Sequence, residues 1–182
     1  EKKFDGEGAV VDGMNESPFW KRYDKFVVDR LGFKVDIEAL SRELSAEFLK
    51  VLDKTESWAE YPDVRPLLED LTKRDFKLGI ISNATDLVDR VLDHLGLAKY
   101  FDPIIVSYAV GARKPDRRIF QIAAEKVHSP PNRMLYIGDK LSVDVMGASN
   151  AGMNAVLLDR MNVYGDARCL RIRSLSALRT YL

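Results

Sequence analysis

The sequence predicts an α/β fold, a Rossmann-like parallel sheet flanked by helices, with a small helical subdomain ahead of it. Three observations carry the prediction. Short apolar runs at 76–82, 103–107, 134–137 and 154–158 alternate with stretches of helical periodicity, and that rhythm implies parallel strands joined by right-handed crossovers. The runs lack the polar alternation of a half-exposed strand, as suits strands covered on both faces. Ahead of them, two amphipathic stretches follow one another with no strand between.

Taken in order, residues 1–15 are glycine-rich with little periodicity and read as an irregular lead-in. Residues 16–60 read as the helical subdomain. Ser17-Pro18 suits a helix start; Phe19, Trp20, Tyr23, Phe26 and Val27 recur at helical spacing, and Gly32 ends the run. A second helix opens at Asp36 and places Ile37, Leu40, Leu44, Phe48, Leu49 and Leu52 on one face. The two form an antiparallel pair. Trp20, Tyr23 and Trp58 are read as core aromatics, with the lining of an entrance as the alternative.

Residues 61–182 form the main domain. Tyr61-Pro62 breaks the pattern, and Val64, Leu67, Leu68 and Leu71 then predict a helix up to Arg74. The strand at 76–82 ends in Ser82-Asn83-Ala84, and Thr85 or Asp86 caps a helix that stops at Gly96. After the strand at 103–107, the loop from Gly111 to Asp116 leads into a helix reaching Val127. The strand at 134–137 is broken by Gly138, and small residues from Gly147 to Gly152 suit a helix packed closely on a sheet. A strand at 154–158, a loop at 162–168, a short strand at 170–172 and a helix from Ser174 complete the chain. No GxGxxG motif occurs, so dinucleotide binding is not supported.

Composition narrows the function. Lys plus Arg and Asp plus Glu both number 28 in 182 residues, which removes the electrostatic argument for nucleic acid or an anionic membrane. No apolar run approaches the roughly 20 residues of a membrane span, and the first residues do not resemble a signal peptide. The single cysteine, Cys169, cannot form an internal disulfide, which fits a reducing, cytoplasmic setting. Oligomeric state is not legible.

Chemistry concentrates after strands. Asp139 follows the strand at 134–137, with Asp144 five residues on. Carboxylates at the carboxyl edge of an open α/β sheet stand where ligands bind, and oxygen donors favour a hard cation such as Mg²⁺. A turn or capping role is the plain alternative for each. Ser82 and Lys114 fall on the same predicted edge. A hydroxyl, the N–H groups of Asn83 and Ala84, an ammonium and a carboxylate-held metal together make a phosphate site. Taken singly, Ser82 could be a cap and Lys114 part of a solvated basic loop with Arg113, Arg117 and Arg118; together, in order and at strand ends, they favour the site.

These segments (IISNA, GARKPD and IGDKLSVDVMGASNAGM) resemble the second, third and fourth motifs of the haloacid dehalogenase superfamily, in its phosphatase-type members with a helical cap. The resemblance covers residue 61 to the C-terminus, and 17–53 is similar to part of such a cap. It implies hydrolysis through an aspartyl-phosphate. Ser82 would then bind the phosphoryl group with Asn83, Lys114 would stabilise the intermediate, Asp139 would ligate Mg²⁺, and Asp144 would ligate or orient it. The first motif, an apolar strand ending in DxD that supplies nucleophile and general acid, has no match: neither Asp5-Gly6-Glu7 nor Asp12-Gly13-Met14 follows a suitable strand. The resemblance places that strand between those ending at Ser82 and Gly138. Its absence would leave two inner edges unpaired, so a further N-terminal segment, or a second chain completing the sheet, is expected. The function expected is a Mg²⁺-dependent phosphohydrolase acting on a small phosphorylated metabolite. The alternatives are a 2-haloacid dehalogenase and a non-catalytic phosphate-binding module.

Overall fold

The computed structural model describes residues 25–26, 28–32 and 34–182. The expectations for the lead-in, the Ser17-Pro18 helix start, Val27, Trp20 and Tyr23 lie outside them. Residues 28–31 are helical, and Gly32 turns the chain at φ +72°, a left-handed conformation that glycine adopts without a Cβ penalty. Helix α1 (Ile37–Asp53) starts directly after Asp36, where the sequence opens it, and Asp36 caps it: its Oδ1 accepts from the N–H groups of Glu38 and Ala39 at 2.9 and 3.2 Å. Two donors left open by the first turn are thereby satisfied. The apolar face of α1 is only partly covered, with Leu44, Phe48 and Val51 about half exposed. Trp58 departs from the core reading. It is exposed, with its indole N–H donating to the Leu52 carbonyl at 2.8 Å.

Helix α2 (Val64–Lys73) buries Leu67, Leu68 and Leu71. Strand β1 (Ile80–Ser82), helix α3 (Leu87–His94), strand β2 (Ile104–Val106) and a short helix α4 (Ser107–Val110) follow. Then come α5 (Arg117–Val127) and β3 (Leu135–Gly138), and a wide helical turn at Leu141–Val145 that runs on as α6 (Met146–Asn150). Strands β4 (Asn154–Leu158) and β5 (Arg171–Ile172) and a 3₁₀ turn at Leu175–Thr180 end the chain. The strand expected over 76–82 pairs only over its last three residues. Helix α4 was not anticipated, since four residues are too few to show a period.

Among the described residues every pairing is parallel, as predicted, and the strands fall in two parts, β1-β2 and β3-β4-β5. Both parts share the same helical layers. On one face Ile81 and Ile105 from the first part, and Tyr136 and Ala155 from the second, pack on Ile119, Phe120, Ala123 and Ala124 of α5 and Ala148 of α6. On the other face α2 reaches both, with Leu67 and Leu71 against Ile137, Val156 and Ile172, and Leu68 against Ile80 and Ile104. The fold is therefore α/β and Rossmann-like, three layers with a break in the middle one.

The start of α2 is tied to the end of β4. Arg160 donates to both oxygens of Asp63 at 2.8 and 2.9 Å, and the Leu175 N–H donates to the same carboxylate at 2.8 Å. The Arg160 hydrogen bonds, opposed by burial, hold the Asp63 carboxyl below its ordinary 3.8. The folded value lies below the unfolded one, so the stabilisation is present above the unfolded pKa and lost as pH falls through the folded one. An Asp63→Asn variant should show a stability deficit in urea that is constant above about pH 5 and shrinks progressively below about pH 4.

Candidate active site

The carboxyl ends of β1 and β3 converge on Lys114, so the two strands point the same way. Asn83, directly after β1, makes two reciprocal bonds with the lysine backbone: its Nδ2 donates to the Lys114 carbonyl and its Oδ1 accepts from the Lys114 N–H, both at 2.8 Å. From the β3 side, Asp144 Oδ1 lies 2.7 Å from Lys114 Nζ, which also donates to the Tyr136 hydroxyl at 2.9 Å. The Lys114–Pro115 peptide bond is cis. An Asn83→Ala change would strip both backbone groups of Lys114 of their partner, and a loss of about 1–3 kcal/mol in denaturant-derived stability is expected.

Asp144 is buried, at 3% exposure, and both of its oxygens are engaged. Oδ1 meets Lys114 and, at 3.3 Å, the Tyr136 hydroxyl, while Oδ2 accepts from the Lys140 N–H at 3.0 Å. Burial raises its proton affinity, but the Lys114 pair and these hydrogen bonds outweigh it and hold the carboxyl below its usual range. Tyr136 is pushed the other way, by burial first and the Asp144 carboxylate second, so its phenol stays protonated and remains a donor. Gly138 makes the approach possible, since a Cβ there would stand 2.4 Å from the Asp144 Cβ. Gly147 has the same role one layer down, where a Cβ would lie 2.9 Å from Phe120 Cε2 and 3.0 Å from Pro115 Cα.

The remaining groups are uncommitted. Ser82 is half-buried at the end of β1, and its hydroxyl has no partner among the described residues. The N–H groups of Asn83 and Ala84 likewise find none there. Asp139 is exposed, and its carboxylate makes no hydrogen bond or ion pair among the described residues. Lys114 spends two of its three donors on Asp144 and Tyr136. Arg113 is solvent-exposed in the loop, as expected; Arg117 and Arg118 are exposed too, but stand in the first turn of α5 rather than in a loop.

Of the sequence-predicted residues, the structure brings Asn83, Lys114 and Asp144 into contact, with Ser82 at the end of β1 and Asp139 directly after β3. The Asn83 side chain is occupied in holding Lys114, which leaves only its backbone N–H for a ligand. Asp144 anchors Lys114 and has both oxygens engaged, whereas the carboxylate of Asp139 is open among the described residues. Among the described residues no three His, Cys, Asp or Glu groups gather around one point. Tyr136 was missed. In the sequence it is one more member of an apolar strand, and the available signal was that a buried tyrosine needs a partner for its hydroxyl.

With this geometry in place, comparison with known proteins is decisive. Residues 17–158 match the family of haloacid dehalogenase-like hydrolases. The chain belongs to that family. It is 36% identical over 100 residues to a glyceraldehyde 3-phosphate phosphatase of Methanothermobacter thermautotrophicus, covering 54% of this chain and 44% of that protein. It is 34% identical over 149 residues to a phosphatase of Mycobacterium tuberculosis, covering 78% and 67%. The crystal structure of a HAD phosphatase from Thermococcus onnurineus superposes with a TM-score of 0.67 at 28% identity, covering 90% of this chain and 87% of that one. The chain spans about half the length of curated relatives it matches, as in the first of these. For a haloacid dehalogenase-like hydrolase, the resemblance drawn from three separate motifs becomes one spatial statement: all three contribute to the contacts around Lys114.

Proposed function

We propose that this chain belongs to a phosphohydrolase acting on a small phosphorylated metabolite. The observation that carries the reading is the pairing of an anchored, incompletely used ammonium at Lys114 with the uncommitted hydroxyl of Ser82. Phosphate oxygens need fixed donors and an offset charge, and this edge supplies both. The names of the two phosphatase relatives support the same class. Residues 16–60 act in this reading as part of a cap over the core at 61–182, and the protein works in the cytoplasm. No helix among the described residues is long and apolar enough to cross a membrane.

The donor set suits Mg²⁺, which binds through one or two carboxylates and otherwise keeps water and phosphate oxygens. Asp139 is the open carboxylate that would hold it, while Asp144 works by keeping Lys114 and the Gly138–Lys140 turn in place. Bound there, the ion would offset phosphate charge. In the family's reaction, a carboxylate oxygen takes the phosphoryl group as the bond to the substrate oxygen breaks. That oxygen leaves protonated, and water then cleaves the acyl phosphate to inorganic phosphate. Lys114 and Ser82 bind and orient the transferred group. The attacking carboxylate and the general acid are not assigned to any residue of this chain.

Phosphate release from p-nitrophenyl phosphate by a protein carrying these residues with a DxD strand ahead of them should require Mg²⁺ and stop with EDTA. Metal-independent halide release from a 2-haloacid would replace the reading with dehalogenation. Phosphate binding without turnover in that protein would make it a non-catalytic binding module. Ser82→Ala should weaken inorganic phosphate binding roughly 2- to 10-fold by calorimetric titration, the worth of one hydrogen bond.

A further inference from the structure

We propose that Tyr136 is a positioning residue for anion binding: its hydroxyl fixes the direction of the Lys114 ammonium and keeps it beside the end of β1, where Ser82 stands. The inference rests on the phosphate-site reading of this edge. An ammonium is a rotor of three N–H donors on a flexible four-carbon stem. The Asp144 carboxylate, with Oδ1 2.7 Å from Nζ, fixes the position of one donor and leaves rotation about that contact. The Tyr136 hydroxyl, accepting from Nζ at 2.9 Å, is a second fixed point. Two fixed donors set the direction of the third, which is the one left for an anion.

The same hydroxyl lies 3.3 Å from the Ile81 carbonyl, one residue before Ser82. Among the hydrogen bonds of the described residues, it alone joins the Lys114 side chain to β1. Asn83 reaches only the lysine backbone. The phenol has one proton for two acceptors, the Ile81 carbonyl and Asp144 Oδ1, each at 3.3 Å. Both contacts are long, whereas the bond accepted from Lys114 has ordinary length. The best bond of the hydroxyl is therefore the one that serves the cation. Its ring is held in place by Phe120, which meets it edge-on with centroids 5.2 Å apart and planes at 83°. The Lys114 ammonium lies 5.6 Å from the same ring's centroid, an added attraction between cation and ring. The ring packs against the cluster that contains Ile119, Phe120 and Ala123. Phenylalanine would fill that space equally well, so the oxygen is what tyrosine adds here.

Tyr136→Phe removes that oxygen and keeps the ring. The 182-residue chain and this variant are titrated calorimetrically with inorganic phosphate. Binding roughly 5- to 20-fold weaker is expected in the variant, the worth of one hydrogen bond to a charged group. A second measurement separates positioning from mere support of the fold. The ¹⁵N-labelled Lys114 ammonium, identified by the loss of its signal in Lys114→Met, is followed by NMR in both proteins. Its signal should shift and its hydrogens should exchange faster with water in Tyr136→Phe, while the backbone amide spectrum changes only around residue 136. Weaker phosphate binding together with the altered ammonium signal supports the inference. Equal phosphate binding in a parent chain that does bind, or an ammonium signal left unchanged, would overturn it while the phosphate-site reading stands. A parent chain that binds no phosphate would overturn that reading, and this inference with it.

Discussion

Replacing Lys114 by methionine is expected to lower stability by about 3–5 kcal/mol, the cost of breaking a buried ion pair from one side. The Lys114 and Asp144 side chains are 12% and 4% exposed. Removing the ammonium leaves the Asp144 carboxylate in a buried position with only neutral donors. Its proton affinity then rises relative to the parent, because burial is opposed only by the Lys140 and Tyr136 hydrogen bonds. The deficit of Lys114→Met should therefore shrink as the solution is made acidic and Asp144 takes up a proton. A Lys114→Met, Asp144→Asn double variant should recover part of the loss at neutral pH, because the remaining amide carries no charge to desolvate. Urea midpoints measured across pH decide this. A deficit independent of pH, with no recovery in the double variant, would show that the lysine acts through packing of its stem. Phosphate binding should fail in both variants, since neither keeps the cation.

Gly138→Ala is expected to be nearly as damaging despite adding one carbon. The new Cβ would lie 2.4 Å from Asp144 Cβ, 2.5 Å from its Cγ and 2.8 Å from Oδ2. No real contact is that short, and the obstructing atoms sit at the base of a side chain already held on both oxygens. Either the Gly138–Lys140 turn shifts or Asp144 leaves Lys114. Overpacking of this kind costs about 1–3 kcal/mol, with the broken pair in addition. Gly165→Ala makes a fair control, having no atom within 4 Å of its added carbon, and should stay within about 0.5 kcal/mol of the parent. If the two alanine variants unfold at the same urea concentration, the close approach at Gly138 has no energetic weight.

Much of the fold was legible because local physics writes it directly into the chain. Asp36 caps α1 as its position before an apolar-periodic stretch required, and Asp116 caps α5 in the same way, accepting from the Arg118 N–H. The registers of β3 and β4 cover the predicted apolar runs. What local pattern could not show was which groups use up one another's bonding capacity. Ser82, Asn83, Lys114, Asp139 and Asp144 all read as polar groups at strand ends, equally available. Only in the folded chain do Asn83 and Asp144 become supports while Ser82 and Asp139 remain open. Tyr136 shows the same limit, since its hydroxyl finds Lys114 and Ile81, residues remote in sequence.

By itself the sequence determined the class of the fold, the order of its elements, its family resemblance and the five polar residues at its carboxyl edge. These follow from periodicity, caps and short motifs, each a matter of neighbours within a few positions. The tertiary structure alone decided that, among the described residues, the strands form two parts sharing their helical layers, and that Asp144 pairs with Lys114. The bonds that Asn83 and Tyr136 make here join residues 31 and 55 positions apart, and such contacts leave no periodic trace in either segment.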